Sequence, residues 1–480
     1  MSWLRRILWT RSRMLFNSLT FILFFAIVFT LNYLFKNHNR YRHIMLVVAS
    51  YYFYAVWNEW LLLLILFSTA TDYLFAIWIE SSNSKRIKKR ILFASVAINF
   101  GILGTFKYLD FFIQSTYDLL SAIGLNPSIH TLGILLPVGI SFYTFQSISY
   151  IVDVYYKNTK AERSFLRYAL YIAYFPQLVA GPIVRSTDFF PQLSRVPVLT
   201  RADFTFAVYM ITMGLFKKVV LATYFAGMTD PVFGSPDSYS SFEIFVAILA
   251  FSLQIYFDFS GYSDTAIGLS KLLGINIPAN FNFPYGARNI TEFWRRWHIS
   301  LSNWLRDYVY IPLGGNRFGR HKAYKNLMLT MTVGGLWHGA SWNFIIWGGM
   351  HGLLLVADKH FSFLRSHTTV IRSFIFALTT FLIVSFMWLP FRADDFSVTL
   401  VMLDKLAEFS MPTSLTLAHL LLLLFSFGLI IHHKISFVSN YSLHIFSKLP
   451  VPVMAFIVSL YVNLIVVFGT MEQPFIYFQF

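Results

Sequence analysis

A histidine lies in one of the most apolar stretches of the chain, which runs from Met331 to Val356. The residues around it read LWHGASW (336–342), so His338 stands between a tryptophan and a glycine. A buried imidazole must find hydrogen-bond partners or stay neutral at a cost in free energy. Near neutral pH it can also take a proton from a hydroxyl and return it to a leaving group. The pattern indicates either general acid–base chemistry at His338 or a core histidine satisfied by a polar neighbour.

Two further histidines deserve comparison with it. His298, in RRWHISLS (295–302), is the second candidate for chemistry, and its alternative is an interfacial histidine at a polar boundary. His351 follows His338 by thirteen residues. On a regular helix that spacing puts the two side chains on different faces. They would therefore share a metal site only if the helix breaks, and we predict no metal.

Polar residues also interrupt the apolar segment LQIYFDFSGYSDTAIGLSKLLGI (253–275). Gln254 and Asp258 are one helical turn apart, and the small and polar residues of FSGYSD (259–264) follow them. A carboxylate inside a membrane protein is costly unless it is paired or reaches water at a helix break. For Asp258 and Asp264 we expect a structural pairing role ahead of direct chemistry. The candidate partners are His298, His338 or an arginine.

The segment LLPVGISFYTFQSISYIVDVYY (135–156) contains Gln146, Ser149 and Asp153 at helical spacing. Pro137 suits the first turn of that helix. One polar stripe on an apolar helix serves either hydrogen bonding between helices or the lining of a substrate cavity. Both alternatives remain open from the sequence.

The element expected to position His298 is an amphipathic helix within NITEFWRRWHISLSNWLRDYVYIPLGGN (289–316). Asn289 with Glu292 forms a capping pattern at its start, and Pro312 and the glycines after it end the helix. One face of this predicted helix is apolar and rich in aromatic residues. It comprises Phe293, Trp297, Leu301, Trp304, Leu305 and Tyr308. Such a helix lies at the membrane interface or enters the bundle without crossing it.

The composition places all these segments in a membrane protein. Hydrophobic residues make up 56% of the 480 positions and charged residues only 12%, a balance that a water-soluble globule does not show. We predict an all-α polytopic protein with roughly ten to twelve crossings. It would form a single domain over residues 1–480, with a catalytic core at about 135–360.

The formal charge of +16 lies in short clusters between apolar runs, such as SKRIKKR (84–90). That distribution follows the positive-inside rule and does not indicate nucleic-acid binding. The basic N-terminal residues 3–15 are typical of an interfacial helix. The chain has no cysteine, which excludes disulfides, cysteine-ligated zinc and a thioester on the protein itself.

Taken together, the motifs resemble the membrane-bound O-acyltransferase family, in particular its bacterial branch that acylates cell-envelope polymers. The resemblance covers nearly the whole chain in the same order. Its segments are PVGISFYTFQSISYIVDVYY, FPQLVAGPIVR, QIYFDFSGYSDTAIGLSKLLGI, NFNFPY, FWRRWHISLSNWLRDYVYIPLGGN, WHGASWNFIIWGGMHG and FIYFQF.

This resemblance implies a ring of tilted helices with re-entrant or interfacial helices around a central tunnel. It implies that His338 is the catalytic base and that His298 lies near the tunnel. It also implies a thioester donor, for which we expect acetyl-CoA with no bound cofactor. Substrate contacts are expected at Gln146, Gln254, Asp258, Trp297, Trp337 and Asn343.

The expected acceptor is an envelope polysaccharide such as alginate or peptidoglycan, acetylated directly or through a periplasmic O-acetyltransferase at the inner membrane. Within the enzyme class, the alternative is D-alanyl transfer from a carrier protein. Outside it, the alternative is a transporter, because polar stripes and intramembrane carboxylates also serve ion pathways. For the aromatic terminus PFIYFQF (474–480) we expect membrane packing, with a partner surface as the alternative.

Overall fold

A computed structural model describes residues 14–57, 59–125, 127–361, 369–412, 417–432, 436–468 and 476. The regular structure within these ranges is entirely helical, so the all-α class is confirmed. The predicted interfacial helix at 3–15 falls almost wholly outside the described residues. The aromatic terminus also falls outside them, except for Ile476.

The helices of the first part of the chain precede the segments that contain His298 and His338. They are α1 (Leu19–Leu34), α2 (Asn39–Ala55), α3 (Glu59–Ser81), α4 (Lys85–Leu103), α5 (Leu109–Ala122), α6 (Ile140–Tyr155), α7 (Phe165–Ala173), α8 (Phe175–Leu178) and α9 (Ser186–Leu193).

The helices of the second part include those that contain His338, His351, Asp258 and Asp264. They are α10 (Arg201–Phe216), α11 (Ala222–Gly234), α12 (Ser241–Leu272), α13 (Ile290–Arg296), α14 (Ile299–Leu305), α15 (Gly319–His338), α16 (Trp342–His360), α17 (Val370–Arg392), α18 (Phe396–Ala407), α19 (Leu417–His432), α20 (Ser436–Lys448) and α21 (Val451–Phe468). Single π-helical turns join α4 to α5 and α10 to α11, and a third follows α14.

Several of these helices are long and apolar enough to cross a membrane, as a multi-pass protein requires. In the described part of the chain five segments meet both conditions: Glu59–Ser81, Lys85–Ala122, Arg201–Gly234, Ser241–Leu272 and Val370–Arg392. Two shorter apolar helices, Leu19–Leu34 and Val451–Val467, accompany them. The expected total of ten to twelve crossings stays a prediction.

The chain divides into two compact units. The first comprises Met1–Ile211 and Thr265–Pro278. Hydrogen bonds between buried polar side chains link its helices: Asp72 of α3 accepts from Ser95 Oγ and Asn99 Nδ2 of α4, at 2.7 and 2.9 Å. A buried carboxylate is tolerated in an apolar bundle when donors saturate it in this way.

The second unit comprises Thr212–Asp264 and Ala279–Phe480. Its core is aromatic and includes Trp294, Trp297, Trp347 and Trp388, each 8% exposed or less. Large flat rings of this kind bury much apolar area and hold their neighbours in defined geometry. All the residues of LWHGASW belong to this unit.

Of the alternatives left open for FSGYSD, the structure shows an unbroken helix, since α12 runs from Ser241 to Leu272. Two helix boundaries differ from the sequence expectation. Pro137 precedes α6 instead of lying in its first turn, since the helix begins at Ile140 after a left-handed Gly139. The predicted single helix after Asn289 is divided into α13 and α14 at Trp297 and His298.

Candidate active site

His338 is the last residue of α15 and lies among aromatic rings. Its ring centroid is 5.0 Å from that of Trp337, 5.1 Å from that of Trp347 and 5.3 Å from that of Phe391. The residue is only 4% exposed. The rings meet the imidazole edge to face, which is a favoured arrangement. The environment is therefore apolar and excludes bulk water from the imidazole.

The helix ends at His338 because the backbone of Gly339 is extended. A Cβ at Gly339 would lie 2.1 Å from the ring of Phe344, so the position admits only glycine without rearrangement. The next helix starts immediately, and Ser341 Oγ accepts the backbone N–H of Asn343 at its first turn (3.2 Å). The sequence order His-Gly-Ala-Ser thus turns the chain sharply and places His338 at a helix end.

His298 lies at the break between α13 and α14. Its backbone is left-handed, with φ 42° and ψ 55°, and the residue is 0% exposed. The alternative of an interfacial histidine at a polar boundary does not fit a side chain that is fully buried inside the protein. A left-handed conformation costs a non-glycine residue about 1–2 kcal/mol, and such conformations persist where surrounding structure holds them, often at functional sites.

Asn280 holds this break in place. Its backbone carbonyl accepts from Ile299 N–H at 2.9 Å, and its Oδ1 accepts from both the N–H and the hydroxyl of Ser300 at 3.2 and 2.7 Å. Its Nδ2 donates to Ser263 Oγ on α12 at 3.3 Å. Each such bond contributes about 0.5–1.5 kcal/mol net, so together they offset the strain at His298. Sequence reasoning did not identify Asn280.

Trp337 connects the two histidines. Its ring centroid is 5.0 Å from that of His338 and 5.8 Å from that of His298, and the His298 ring also lies 4.7 Å from that of Phe259. The structure thus brings together His298, Trp337 and His338 from two separate motifs. A neutral imidazole can accept a proton, and here two buried imidazoles contact one indole away from bulk water.

Two of the predicted substrate contacts have structural partners. Trp297 is 1% exposed and stacks on Phe293, with a centroid distance of 5.6 Å and an interplanar angle of 17°. Asn343 Nδ2 donates to the carbonyl of Ala393 at 3.0 Å and so ties the start of α16 to the end of α17. Their roles in substrate binding stay predictions.

Asp258 pairs with Lys218, which lies in the π-helical turn Lys217–Leu221. The expected partners, a histidine or an arginine, were therefore wrong. Asp258 Oδ2 also accepts the backbone N–H of Ile476 at 3.0 Å. Asp264 pairs in the same way with Lys217 at 2.6 Å. Asp258 and Asp264 are thus neutralised by two consecutive lysines, which supports the expected structural pairing role.

The remaining two predicted substrate contacts, Gln254 and Gln146, differ in their hydrogen bonding. Gln254 is 9% exposed, and its Oε1 accepts no hydrogen bond from the described residues. Gln146 belongs to the first unit, where its Nε2 donates to the carbonyl of Tyr171 on α7 at 3.1 Å. That bond joins two helices, as the packing alternative expects for the stripe on α6.

His351 lies on α16 and is 0% exposed. Its Nδ1 accepts from Trp294 Nε1–H at 3.3 Å, and its ring centroid is 4.7 Å from that of Trp347. Because the helix ends after His338, His338 and His351 both contact the indole of Trp347. Across the described residues, no group of three or more histidine, aspartate and glutamate side chains is placed to hold a metal ion.

Comparisons with known proteins place this chain in a family. The family model for membrane-bound O-acyltransferases matches residues 159–391. A protein named probable alginate O-acetylase, from Pseudomonas aeruginosa, is 40% identical over 397 residues, which are 82% of this chain and 75% of that protein. A peptidoglycan O-acetyltransferase of Helicobacter pylori is 36% identical over 427 residues, covering 81% of this chain and 79% of that protein.

The chain belongs to the membrane-bound O-acyltransferase family. It is therefore an O-acyltransferase and a multi-pass membrane protein, and the transporter alternative is set aside. A teichoic acid D-alanyltransferase of Streptococcus thermophilus is also similar, at 33% identity over 253 residues, which are 48% of this chain and 59% of that protein. In this O-acyltransferase the matched region 159–391 includes both His298 and His338.

Proposed function

We propose that this O-acyltransferase transfers an acetyl group from a cytoplasmic thioester, acetyl-CoA, to a hydroxyl of a cell-envelope polysaccharide. The acceptor is an alginate- or peptidoglycan-like polymer, acetylated directly or through a periplasmic O-acetyltransferase at the inner membrane. The similarity to a probable alginate O-acetylase and to a peptidoglycan O-acetyltransferase supports this acceptor class.

The observation that carries the proposal is the pair of buried imidazoles that both contact the indole of Trp337. His338 acts as general base: it takes the hydroxyl proton while the hydroxyl oxygen forms a bond to the acetyl carbonyl carbon. The carbon–sulfur bond then breaks, and the imidazolium returns the proton to the departing thiolate. His298, which contacts the same indole, orients the acceptor or the donor.

The aromatic surroundings contribute by excluding water, which would otherwise hydrolyse the thioester. Holding hydroxyl and thioester in line lowers the barrier by up to about 7–11 kcal/mol, the range known for well-oriented intramolecular reactions. The left-handed backbone at His298 and the helix end at His338 hold the two rings in fixed orientations before substrate binds.

The test uses the purified full-length chain with radiolabelled acetyl-CoA and an acceptor oligosaccharide. His338→Ala should lower the transfer rate by about 10²- to 10⁴-fold, the usual contribution of a general base. His321→Ala is the matched control, because His321 is an exposed histidine at the other end of the same helix. It should stay within twofold of the parent.

The role of His338 would be refuted by a His338→Ala protein that has the same melting temperature as the parent and keeps more than a tenth of the parent transfer rate. Transfer of D-alanine from a loaded carrier protein, with no transfer from acetyl-CoA, would replace the proposed donor by the alternative suggested by the D-alanyltransferase relative.

A further inference from the structure

A groove of about 610 Å³ lies in the first unit, between the consecutive helices α1 and α2. We call it the hairpin groove. Every side chain that lines it is apolar or aromatic, except that of Thr20. Among its lining residues Val28 and Ala49 are 3% and 8% exposed, whereas Ile27 and Val48 are 62% and 61% exposed. The groove therefore has a buried base and is open at the outer surface of the helix pair.

The length of the hairpin groove matches the depth of one membrane leaflet. Its lining residues on α2 extend from Tyr41 to Tyr52, a separation of about 17 Å at the helical rise. Half of the hydrocarbon core of a bilayer is about 15 Å thick. An apolar groove of this length on a membrane protein is suited to one acyl chain of a lipid.

One end of the hairpin groove is basic. Phe35 and Tyr41 line the groove on the two sides of the turn between the helices, and their ring centroids are 6.2 Å apart. Lys36 and Arg40 lie between these two rings in the sequence, and both are exposed. Neither forms an ion pair within the described residues, and the first acidic residue of the sequence is Glu59. This end of the groove therefore has positive charge that no carboxylate of the hairpin neutralises.

The N-terminus of α2 adds to this charge. His38 occupies the cap position but forms no side-chain hydrogen bond to the first N–H groups of the helix. Its ring instead lies 6.1 Å from that of Tyr41. The first turn of a helix carries partial positive charge and favours phosphate. Together with Lys36 and Arg40, it makes the turn suited to a phosphate group.

The position of the turn relative to the membrane favours a lipid phosphate. The positive-inside rule places basic turns of this kind on the cytoplasmic side. The cytoplasmic leaflet has a negative surface potential, which attracts lysine and arginine side chains close to it. Tyrosine is enriched at the level of the headgroups, which is where Tyr41 would lie beside the basic turn.

We propose that the hairpin groove binds one anionic phospholipid. One acyl chain fills the groove between α1 and α2, and the phosphate binds Lys36, Arg40 and the N-terminus of α2. The occupant is a lipid because the apolar groove and the basic turn meet at Phe35 and Tyr41, so both parts of one lipid molecule are recognised. Binding to the folded hairpin stabilises it by mass action.

The test measures the Kd of the first bound lipid by native mass spectrometry of the purified full-length chain in detergent. The probes are dioleoylphosphatidylglycerol, which is anionic, and dioleoylphosphatidylcholine, which is zwitterionic. The parent should bind phosphatidylglycerol at least tenfold more tightly. Lys36→Gln/Arg40→Gln should weaken that binding about tenfold or more, because each basic residue near a membrane surface contributes to the attraction of anionic lipid.

The matched control for charge is Arg86→Gln/Lys89→Gln. It removes the same charge from two exposed residues at the start of α4, outside the hairpin groove. Its Kd for phosphatidylglycerol should stay within twofold of the parent value. An equal loss in the two double variants would overturn the proposal, because the attraction would then be a property of the basic surface as a whole.

A second pair of variants tests the groove itself. Val48→Trp places an indole in the groove and should weaken binding of both lipids about tenfold. Ile22→Trp is the control, since Ile22 is 55% exposed on α1 and does not line the groove. It should leave both Kd values within twofold. Both positions are exposed, so equal melting temperatures of the two variants and the parent are expected.

Three outcomes would overturn the proposal. Equal Kd values of phosphatidylglycerol for the parent and Val48→Trp would show that the lipid does not enter the groove. Binding of sn-glycerol 3-phosphate as tightly as phosphatidylglycerol would show a site for free phosphate, with no need for the acyl chain. A lipid-free dimer of the parent that Val48→Trp abolishes would assign the groove to a second copy of the chain.

Discussion

At the scale of single residues, Asp258 illustrates how a charge is kept inside an apolar helix. The carboxylate lies 4% exposed on α12, and Lys218 neutralises it from the turn between α10 and α11. A Cβ on Gly261 would lie 2.8 Å from the backbone nitrogen of Lys218. The glycine therefore lets that turn approach α12 closely enough for the ion pair to form.

Removing one partner of this pair should be costly. Lys218→Met leaves an uncompensated buried carboxylate and should lower the free energy of unfolding by about 3–5 kcal/mol, whereas the Lys218→Met/Asp258→Asn double variant should recover most of that loss. Chemical denaturation of the purified protein measures both.

Lys217→Met is the matched comparison. Its pair with Asp264 is more exposed, at 23% and 20% of the side chains against 18% and 6% for Lys218 and Asp258. It should therefore cost only about 0–1 kcal/mol. Equal losses for the two single lysine variants would show that the burial of Asp258 does not determine the energy.

The candidate site shows which residue-level features a sequence reveals. His338 stands out because imidazole is expensive in an apolar stretch, and that signal is local. The partner of Asp258 does not stand out, because Lys218 is forty positions away and lysines near helix ends are also expected from the positive-inside rule. Spacing along the chain contains no information about that pairing.

At the scale of elements, the segment around His298 separates local from distant causes. The cap at Asn289 is confirmed, with its Oδ1 accepting Glu292 N–H at 2.8 Å, since both residues lie within one turn. The break at His298 was missed because the apolar stripe continues through α13 and α14 without a gap. The hydrogen bonds that hold the break come from Asn280, and no periodicity within the helix reveals them.

The pair α15 and α16 presents His338 and depends on a close glycine contact. A Cβ on Gly348 would lie 2.4 Å from the carbonyl oxygen of Met331 and 3.0 Å from Cα of Gly335. These are backbone atoms, which cannot move aside without separating the two helices. The contact therefore fixes Trp347, the residue before Gly348, against His338.

Gly348→Ala should therefore lower stability by about 1–3 kcal/mol, as overpacking does, and reduce acyl transfer at least tenfold. Gly349→Ala is the control on the adjacent residue, since its Cβ would meet nothing within 4 Å. It should be neutral or stabilise the helix by up to about 1 kcal/mol. Melting temperature and transfer rate are measured together, and a Gly348→Ala protein that matches the parent in both would contradict the role of this contact.

At the scale of the whole molecule, composition correctly predicts the membrane class but does not predict how the positive charge is used. Part of the +16 charge has internal roles: Arg42 is 2% exposed and donates to the carbonyls of Leu193 and Arg195 at 3.1 and 3.0 Å. Other basic residues are largely exposed at the start of a helix, as in residues 85–90 of α4. Only the second group can orient the protein in a membrane.

That orientation gives a test of the number of crossings. Two helices, α2 and α3, separate the basic residues near Lys36 from those at 84–90, yet only α3 is among the five segments long and apolar enough to cross within the described residues. If the positive-inside rule governs both loops, they lie on the cytoplasmic side and α2 also crosses. At 17 residues it reaches about 25 Å, which a thinned bilayer can accommodate.

Because the chain has no cysteine, labelling of single cysteine substitutions can decide whether α2 crosses the membrane. In intact spheroplasts a membrane-impermeant maleimide should label Glu59→Cys, at the start of α3, and should label Asn37→Cys and Asn83→Cys only after permeabilisation. The three positions are exposed in the structure, and the parent supplies the unlabelled control. Labelling of Asn37→Cys together with Glu59→Cys from outside would show that α2 does not cross, because only a crossing helix separates its two ends by the bilayer.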